Sequence, residues 1–151
     1  MKSAAGKCIP SLKRILIIDD EPFNVIGMQL LLNNLGIKGL GSSVDRAYNG
    51  LEGFNKVKHS FMEGKHIYGL IITDISMPVM DGYQASKEIR DFYKCNQVPQ
   101  PMIIACTGHV EEEYIKKAWM HQIDEVLPKP IKIEVLRDIF ENIVEQQSSN
   151  N

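Results

Sequence analysis

The chain is short of everything that would staple, anchor or steer a protein. It has only three cysteines, Cys8, Cys95 and Cys106. Their spacing matches no metal-binding pattern, so neither a disulfide framework nor a structural zinc site is expected. The segment Met1 to Lys13 carries small residues and lysines but no apolar centre, so it does not read as a secretory signal. With an odd cysteine count, this points to reduced thiols in a cytosolic setting. Cys106 ends an apolar run and is expected in the core. Long hydrophobic runs are missing too: the purest, Ile15 to Ile18, falls far below the roughly 20 residues that cross a bilayer. Neither sign of charge dominates. Seventeen basic and 19 acidic residues leave a net charge of −2, which makes no electrostatic case for nucleic acid or an anionic membrane. Glycines do not form a dinucleotide loop either. Gly39-Leu40-Gly41-Ser42-Ser43-Val44 lacks the third glycine and precedes a strand instead of following one.

What is present is ordinary globular material: 44% apolar and 24% charged residues in 151, suited to one domain. A chain of this size can bury roughly 70% of its unfolded surface. Residues 1–12 read as a flexible lead and 146–151 as a polar tail, leaving 13–145 as the folded unit. Within it, short apolar runs alternate with amphipathic stretches. Runs at Ile15–Ile18, Val44–Ala47, Leu70–Ile72, Met102–Ala105 and Glu125–Leu127 read as strands, several of them continuous and thus covered on both faces. Pro22 opens the first helix, Val25, Met28, Leu32 and Leu35 form its apolar face, and Gly36 stops it. Asn49-Gly50 turns the chain into a second helix. A third runs from about Tyr83 to Tyr93 on Ala85, Ile89 and Phe92. The fourth carries Tyr114, Ile115, Ala118 and Trp119, and the last presents Leu136, Ile139, Phe140 and Ile143. Strands alternating with helices argue for a parallel sheet covered on both faces.

Ligands of such sheets bind outside the carboxyl ends of the strands. Asp19, Asp20, Asp74, Thr107 and Lys129 all stand at such ends. Two like charges about 4 Å apart repel by about 4 kcal/mol at an effective dielectric of 20. Three clustered carboxylates must therefore be protonated, paired or neutralised by a cation. Oxygen ligands with room for water suit Mg2+. A carboxylate with a reference pKa of about 3.9 is already ionised at neutral pH and needs no general base to attack phosphorus. Phosphoryl transfer mainly requires positioning and charge neutralisation, which the metal, the Thr107 hydroxyl and the Lys129 ammonium would supply. Asp74 is the best nucleophile candidate, because it ends the central strand and the chain turns sharply after it around Pro78 and Gly82.

These residues resemble the receiver domain of two-component response regulators. The resemblance rests on Asp-x-x-Met-Pro-x-Met-Asp-Gly at 74–82, Asp19-Asp20, Thr107 and Lys129-Pro130, and covers about residues 13–145. It implies a flavodoxin-like (βα)5 fold: a doubly wound, five-stranded parallel sheet in the order 2-1-3-4-5. It implies that Asp74 accepts a phosphoryl group from a phosphohistidine. Mg2+ would be held by Asp20, by Asp19 mainly through water, by Asp74 and by the Ser76 carbonyl. Thr107 and Lys129 would contact the phosphoryl oxygens, across a cis Lys129–Pro130 bond. Gly108 would keep access open, and Ser76 and His109 would tune loss of the acyl phosphate. Asn24 and Thr107-Gly108-His109 are similar to receivers of hybrid histidine kinases, whose partners are a histidine kinase or a histidine phosphotransfer protein. The implied protein is a signalling receiver that catalyses its own phosphotransfer and slow autodephosphorylation. No output segment is expected after residue 146. The segment between Thr107 and Val126 and the face of the first helix are the expected docking surfaces. One position departs from the family: the aromatic residue three places before the lysine is Val126.

Taken singly, several residues have simpler readings. Asp19-Asp20 could cap a helix, Thr107 could cap the helix after it, and Lys129 could be a solvated lysine. Asp81 reads as a turn residue beside Gly82, and Glu111-Glu112-Glu113 as a match to a helix dipole. His59, His66, His109 and His121 read as surface residues without ligand spacing. Trp119 and Tyr114 are expected in the core more than on a partner surface. Two rival functions fit less well. A phosphatase with an aspartate nucleophile would want Asp-x-Asp after the first strand, and a receiver that no longer accepts phosphate would not need all five site residues.

Overall fold

The computed structural model describes residues 12–65 and 67–149. The expected lead as far as residue 11, with Cys8, lies outside the described residues, as do His66 and Asn150-Asn151. Five strands, β1 (Arg14–Ile18), β2 (Ser43–Ala47), β3 (Leu70–Asp74), β4 (Met102–Thr107) and β5 (Glu125–Pro128), alternate with five helices. The helices are α1 (Pro22–Asn34), α2 (Gly50–Met62), α3 (Gly82–Cys95), α4 (Glu112–Met120) and α5 (Ile133–Ser149). The strands form one parallel sheet in the order β2-β1-β3-β4-β5, as expected.

Alternation along the strands builds two cores. Ile15, Ile17, Leu70, Ile72, Ile104 and Cys106 face one way, against Val25, Met28 and Leu32 of α1 and Leu136 and Phe140 of α5. Leu16, Ile18, Ile71, Ile103 and Ala105 face the other, against Val57 of α2, Ile89 and Tyr93 of α3 and Ala118 of α4. Each fully buried Ile or Leu contributes about 1.5–3 kcal/mol, so the central strands hold the molecule and their carboxyl ends are rigid. Helix starts follow local chemistry. Pro22 sits in the first turn of α1, Asn49 accepts the N–H of Glu52 to cap α2, and Asp81 accepts that of Gln84 to cap α3. Asp81 is thus a capping residue.

The fold departs from expectation in four places. Residues 146–149, expected as tail, continue α5. The helical backbone carries on through them, and the hydroxyls of Ser148 and Ser149 donate to the carbonyls of Val144 and Glu145. Leu12, the end of the expected lead, is buried in the first core. Trp119, expected in the core, is 62% exposed, because Ala118 alone in α4 is buried and a neighbouring position on a helix points about 100° away. Along α3 the fully buried aromatic is Tyr93, whose hydroxyl donates to the carbonyl of Tyr68, while Phe92 is only half-buried.

Two polar anchors escaped the sequence. The buried Arg90 guanidinium donates to the carbonyls of Gln122 and Pro101 and pairs with Asp124 at 2.8 Å, tying α3 to the turn before β5. Also at the amino ends of the strands, but toward the β2 edge, Arg14 pairs with Asp45 at 2.8 Å and lies over the Tyr68 ring, whose hydroxyl also donates to Asp45.

Candidate functional site

β1 and β3 are neighbours, so the residues at their carboxyl ends come together. Asp19 follows β1 and is buried; Asp74 ends β3 and is half-buried. Carboxylate oxygens of Asp19, Asp20 and Asp74 all lie within 4.8 Å of one another. From the far side of the sheet, Lys129 follows β5 and reaches both acids. Its Nζ is 3.3 Å from Asp19 Oδ2 and 3.4 Å from Asp74 Oδ1. The Lys129–Pro130 peptide bond is cis, and the Lys129 N–H donates to the carbonyl of Thr107 at 2.9 Å. Thus the end of β4, which bears Thr107, is bonded to the residue that bears the ammonium.

Asp19 and Asp74 are each oriented by a backbone N–H. Asp19 Oδ1 accepts the N–H of Glu21 at 2.9 Å and the amide of Asn24 at 3.3 Å. Asp74 Oδ1 accepts the N–H of Ile75 at 2.8 Å. Burial pushes the Asp74 carboxyl above its ordinary pKa, with Asp19 adding to the rise, while Lys129 and the Ile75 N–H pull against it. Burial also works against the Lys129 ammonium, but Asp74 and Asp19 outweigh it and hold its pKa above the ordinary value. Three carboxylates against one ammonium leave two negative charges in excess, which a divalent cation matches. Hard oxygen donors favour Mg2+ or Ca2+ over softer metals. The residues present therefore fit a divalent metal.

Gly82 shapes the far wall. Its N–H donates to the Ile75 carbonyl, and a Cβ there would stand 2.1 Å from the Asp74 carbonyl oxygen. No side chain other than hydrogen fits. Ser76 lies two residues beyond Asp74 on the exposed loop before α3, beside a hollow that Tyr83, Tyr114 and Lys117 also line. Thr107 is buried, and its Oγ1 accepts the N–H of His109 at 3.1 Å. That bond falls short of α4, which begins at Glu112, so Thr107 does not cap the helix.

A cleft of about 650 Å³ opens beside the acids between α1 and the segment after β5. Asp19, Asp74 and Lys129 stand at its polar end, and Phe23, Gly27, Leu31, Pro130 and Ile131 line its apolar flank. Phe23 is 84% exposed, and Ile26 and Leu30 of the same helix are exposed as well. This second apolar face of α1 had a signal in the sequence: the helix is apolar nearly all round, more than one buried face requires. The contact of Asn24 with Asp19 had none, since a five-residue separation spans a strand end and a helix start.

A family model described as the response regulator receiver domain matches residues 15–141. Hybrid signal transduction histidine kinase L of Dictyostelium discoideum is 31% identical over 129 residues, which make up 85% of this chain and 7% of that protein. The chain therefore spans a small part of the curated relatives it matches. Among solved structures, the receiver domain of the response regulator Ssk1 is similar at 28% identity, with a TM-score of 0.66 and 86% of both chains covered. That structure is a co-crystal with the histidine phosphotransfer protein Ypd1 of Saccharomyces cerevisiae. The receiver domain of sensor histidine kinase PA1611 from Pseudomonas aeruginosa is 25% identical, with a TM-score of 0.67, and covers 87% of this chain and 97% of its own. It holds a magnesium ion in its active-site cleft.

Proposed function

We propose, from the premise that the chain belongs to the response regulator receiver domain family, that Asp74 is its phosphoryl acceptor. The observation that carries this reading is the single ammonium of Lys129 between Asp19 and Asp74, beside a cluster of three carboxylates. The donor is a phosphohistidine. The phosphorus–nitrogen bond of the donor breaks, its electron pair stays on the imidazole nitrogen, and a phosphorus–oxygen bond forms to the Asp74 carboxylate. Lys129 and the Thr107 hydroxyl take two of the phosphoryl oxygens. Asp19, Asp20, Asp74 and the Ser76 carbonyl would hold Mg2+, which supplies neutralisation of the charge gathered on the transferring group. Asn24 and the Glu21 N–H keep one oxygen of Asp19 occupied and so aim the other toward the cluster. Water attacks the finished acyl phosphate slowly, with Ser76 and His109 placed to tune its approach.

The partner that delivers the phosphoryl group is a histidine phosphotransfer protein or the histidine region of a kinase. On α1, Phe23, Ile26 and Leu30 form an exposed row, and Phe23 lines the cleft that ends at Asp74. An apolar partner helix laid along it would carry its histidine to the acid. Among the described residues no helix is long and apolar enough to cross a membrane, and action in the cytoplasm fits this reading.

The test is an intact-mass measurement after incubation with a phosphorylated histidine donor and Mg2+, run beside Asp74→Asn. One added phosphoryl group in the parent and none in the variant is the expected result. A gain in both, or in neither, overturns the reading.

A further inference from the structure

Among the helices, α4 is the most weakly held. It has nine residues and buries only Ala118, and so short a helix has little stability of its own. Its position depends on the few side chains that reach it, and one of these, Tyr83 in the first turn of α3, touches it along its whole length. The ring is 6% exposed. The Tyr83 hydroxyl donates to the carbonyl of Tyr114 at 3.4 Å. Lys117 Nζ lies 4.5 Å from the ring centroid, and the His121 ring is 5.2 Å away at the end of the helix.

Tyr83 is also joined to the phosphoryl site by two separate routes. The first is the backbone: Gly82, its neighbour in sequence, is pressed against the Asp74 carbonyl and donates to Ile75. The second runs through the segment after β4. Thr107 Oγ1 accepts the His109 N–H, the His109 ring stacks on Tyr114 at 4.9 Å and 22°, and the Tyr114 carbonyl accepts the Tyr83 hydroxyl. The two routes close on the Tyr83–Tyr114 contact. Val126, on β5 and packed against the same core, offers neither ring nor hydroxyl.

We propose that Tyr83 is the positioning residue through which the occupied phosphoryl site moves α4, replacing an aromatic on β5; this rests on Asp74 being the acceptor. A phosphoryl group on Asp74 draws the Thr107 hydroxyl toward its oxygens and re-aims the lone pairs that receive the His109 N–H. His109 carries Tyr114 with it through the stacked rings. The Tyr83–Tyr114 bond is long for O–H···O, so it is the member of the circuit with most room to tighten or break. Lys117 and His121 are held against the Tyr83 ring, so the whole of α4 follows.

Trp119 on α4 is the chain's only tryptophan and reports on the helix directly. The full chain is titrated with Mg2+ and beryllium fluoride while Trp119 emission is followed, and bound fluoride is counted by 19F NMR. Tyr83→Phe keeps the ring but removes the hydroxyl; Tyr83→Leu removes both. We expect bound fluoride within twofold of the parent in both variants. The Trp119 response should fall below half in Tyr83→Phe and be nearly absent in Tyr83→Leu. A full Trp119 response in Tyr83→Phe overturns the proposal, and this variant alone decides if Tyr83→Leu does not fold. A parent that binds fluoride with no change at Trp119 also overturns it. A parent that binds no fluoride removes the acceptor reading, and this inference falls with it.

Discussion

Lys129 Nζ stands 3.4 Å from Asp74 Oδ1 while bonding Asp19 Oδ2 at 3.3 Å, so one ammonium from β5 serves two acids from β1 and β3. Lys129→Met keeps the apolar stem and deletes the charge. The pair is partly exposed, so the loss of stability should be about 1 kcal/mol, read as a fall of roughly 2–4 °C in Tm. Phosphorylation of Asp74 should slow by at least roughly tenfold, the effect of about 1.4 kcal/mol on a barrier. An unchanged rate by intact mass would show that Lys129 does not touch the transferred group.

Asp74 itself is expected to be a stability liability. Burial, with Asp19 adding to it, raises its folded pKa above the ordinary value in spite of Lys129 and the Ile75 N–H. A carboxyl with a raised folded pKa favours the protonated state on folding. Its ionised form therefore costs stability at neutral pH, and that cost vanishes as pH falls through the folded pKa. In metal-free buffer, Asp74→Asn should melt above the parent at pH 7. The gap should narrow toward pH 4 and also on adding saturating Mg2+. A lower Tm for Asp74→Asn at pH 7 in chelator contradicts this.

Gly82 and Gly27 make a matched pair. A Cβ at Gly82 would meet the Asp74 carbonyl oxygen at 2.1 Å and the Ile75 Cα at 3.0 Å, backbone that cannot swing aside. Gly82→Ala should cost about 1–3 kcal/mol and slow phosphorylation by displacing Asp74. At Gly27, inside α1, a Cβ meets nothing within 4 Å, so Gly27→Ala should stabilise by about 0.5–1 kcal/mol. Denaturant melts of the two variants should move in opposite directions.

Cys106 is buried against the acids, and burial first, then Asp74 and Asp19, push its thiol up to about 12 against the pull of Lys129. It stays a neutral thiol at pH 8. Iodoacetamide should label the exposed Cys95 in the native protein and reach Cys106 only after denaturation, as read by peptide mapping. Native labelling of Cys106 at a rate comparable to Cys95 would mean that the first core opens readily.

Phe23 separates docking from chemistry. It is 84% exposed, so Phe23→Ala should leave stability within about 0.5 kcal/mol of the parent. If α1 receives the partner, the loss of a central aromatic contact costs about 1–2 kcal/mol. Transfer from a histidine phosphotransfer protein should then slow roughly tenfold. Transfer from a small phosphoramidate donor should be unaffected, and equal slowing with both donors would place Phe23 in the chemistry instead.

The sequence alone determined the order of elements, the parallel sheet and the identity of the clustered acids and lysine. Those follow from local patterns: buried runs of Ile and Leu, the Asn49-Gly50 turn, and charged residues placed where strands end. Asp81, read from the sequence as a turn residue, proved to be a cap only in the structure, where its carboxylate accepts the N–H of Gln84. Only the tertiary structure decided that Trp119 stands in solvent, because exposure on α4 depends on how one helix sits on the sheet. It also decided that α5 runs on through residues taken for tail, where backbone hydrogen bonds outweigh a polar composition. Arg90 with Asp124, Arg14 with Asp45, and Tyr83 with Tyr114 are paired across 34, 31 and 31 positions. No pattern along a chain encodes such pairs, since a hydrogen bond depends on distance in space and the fold alone sets that distance.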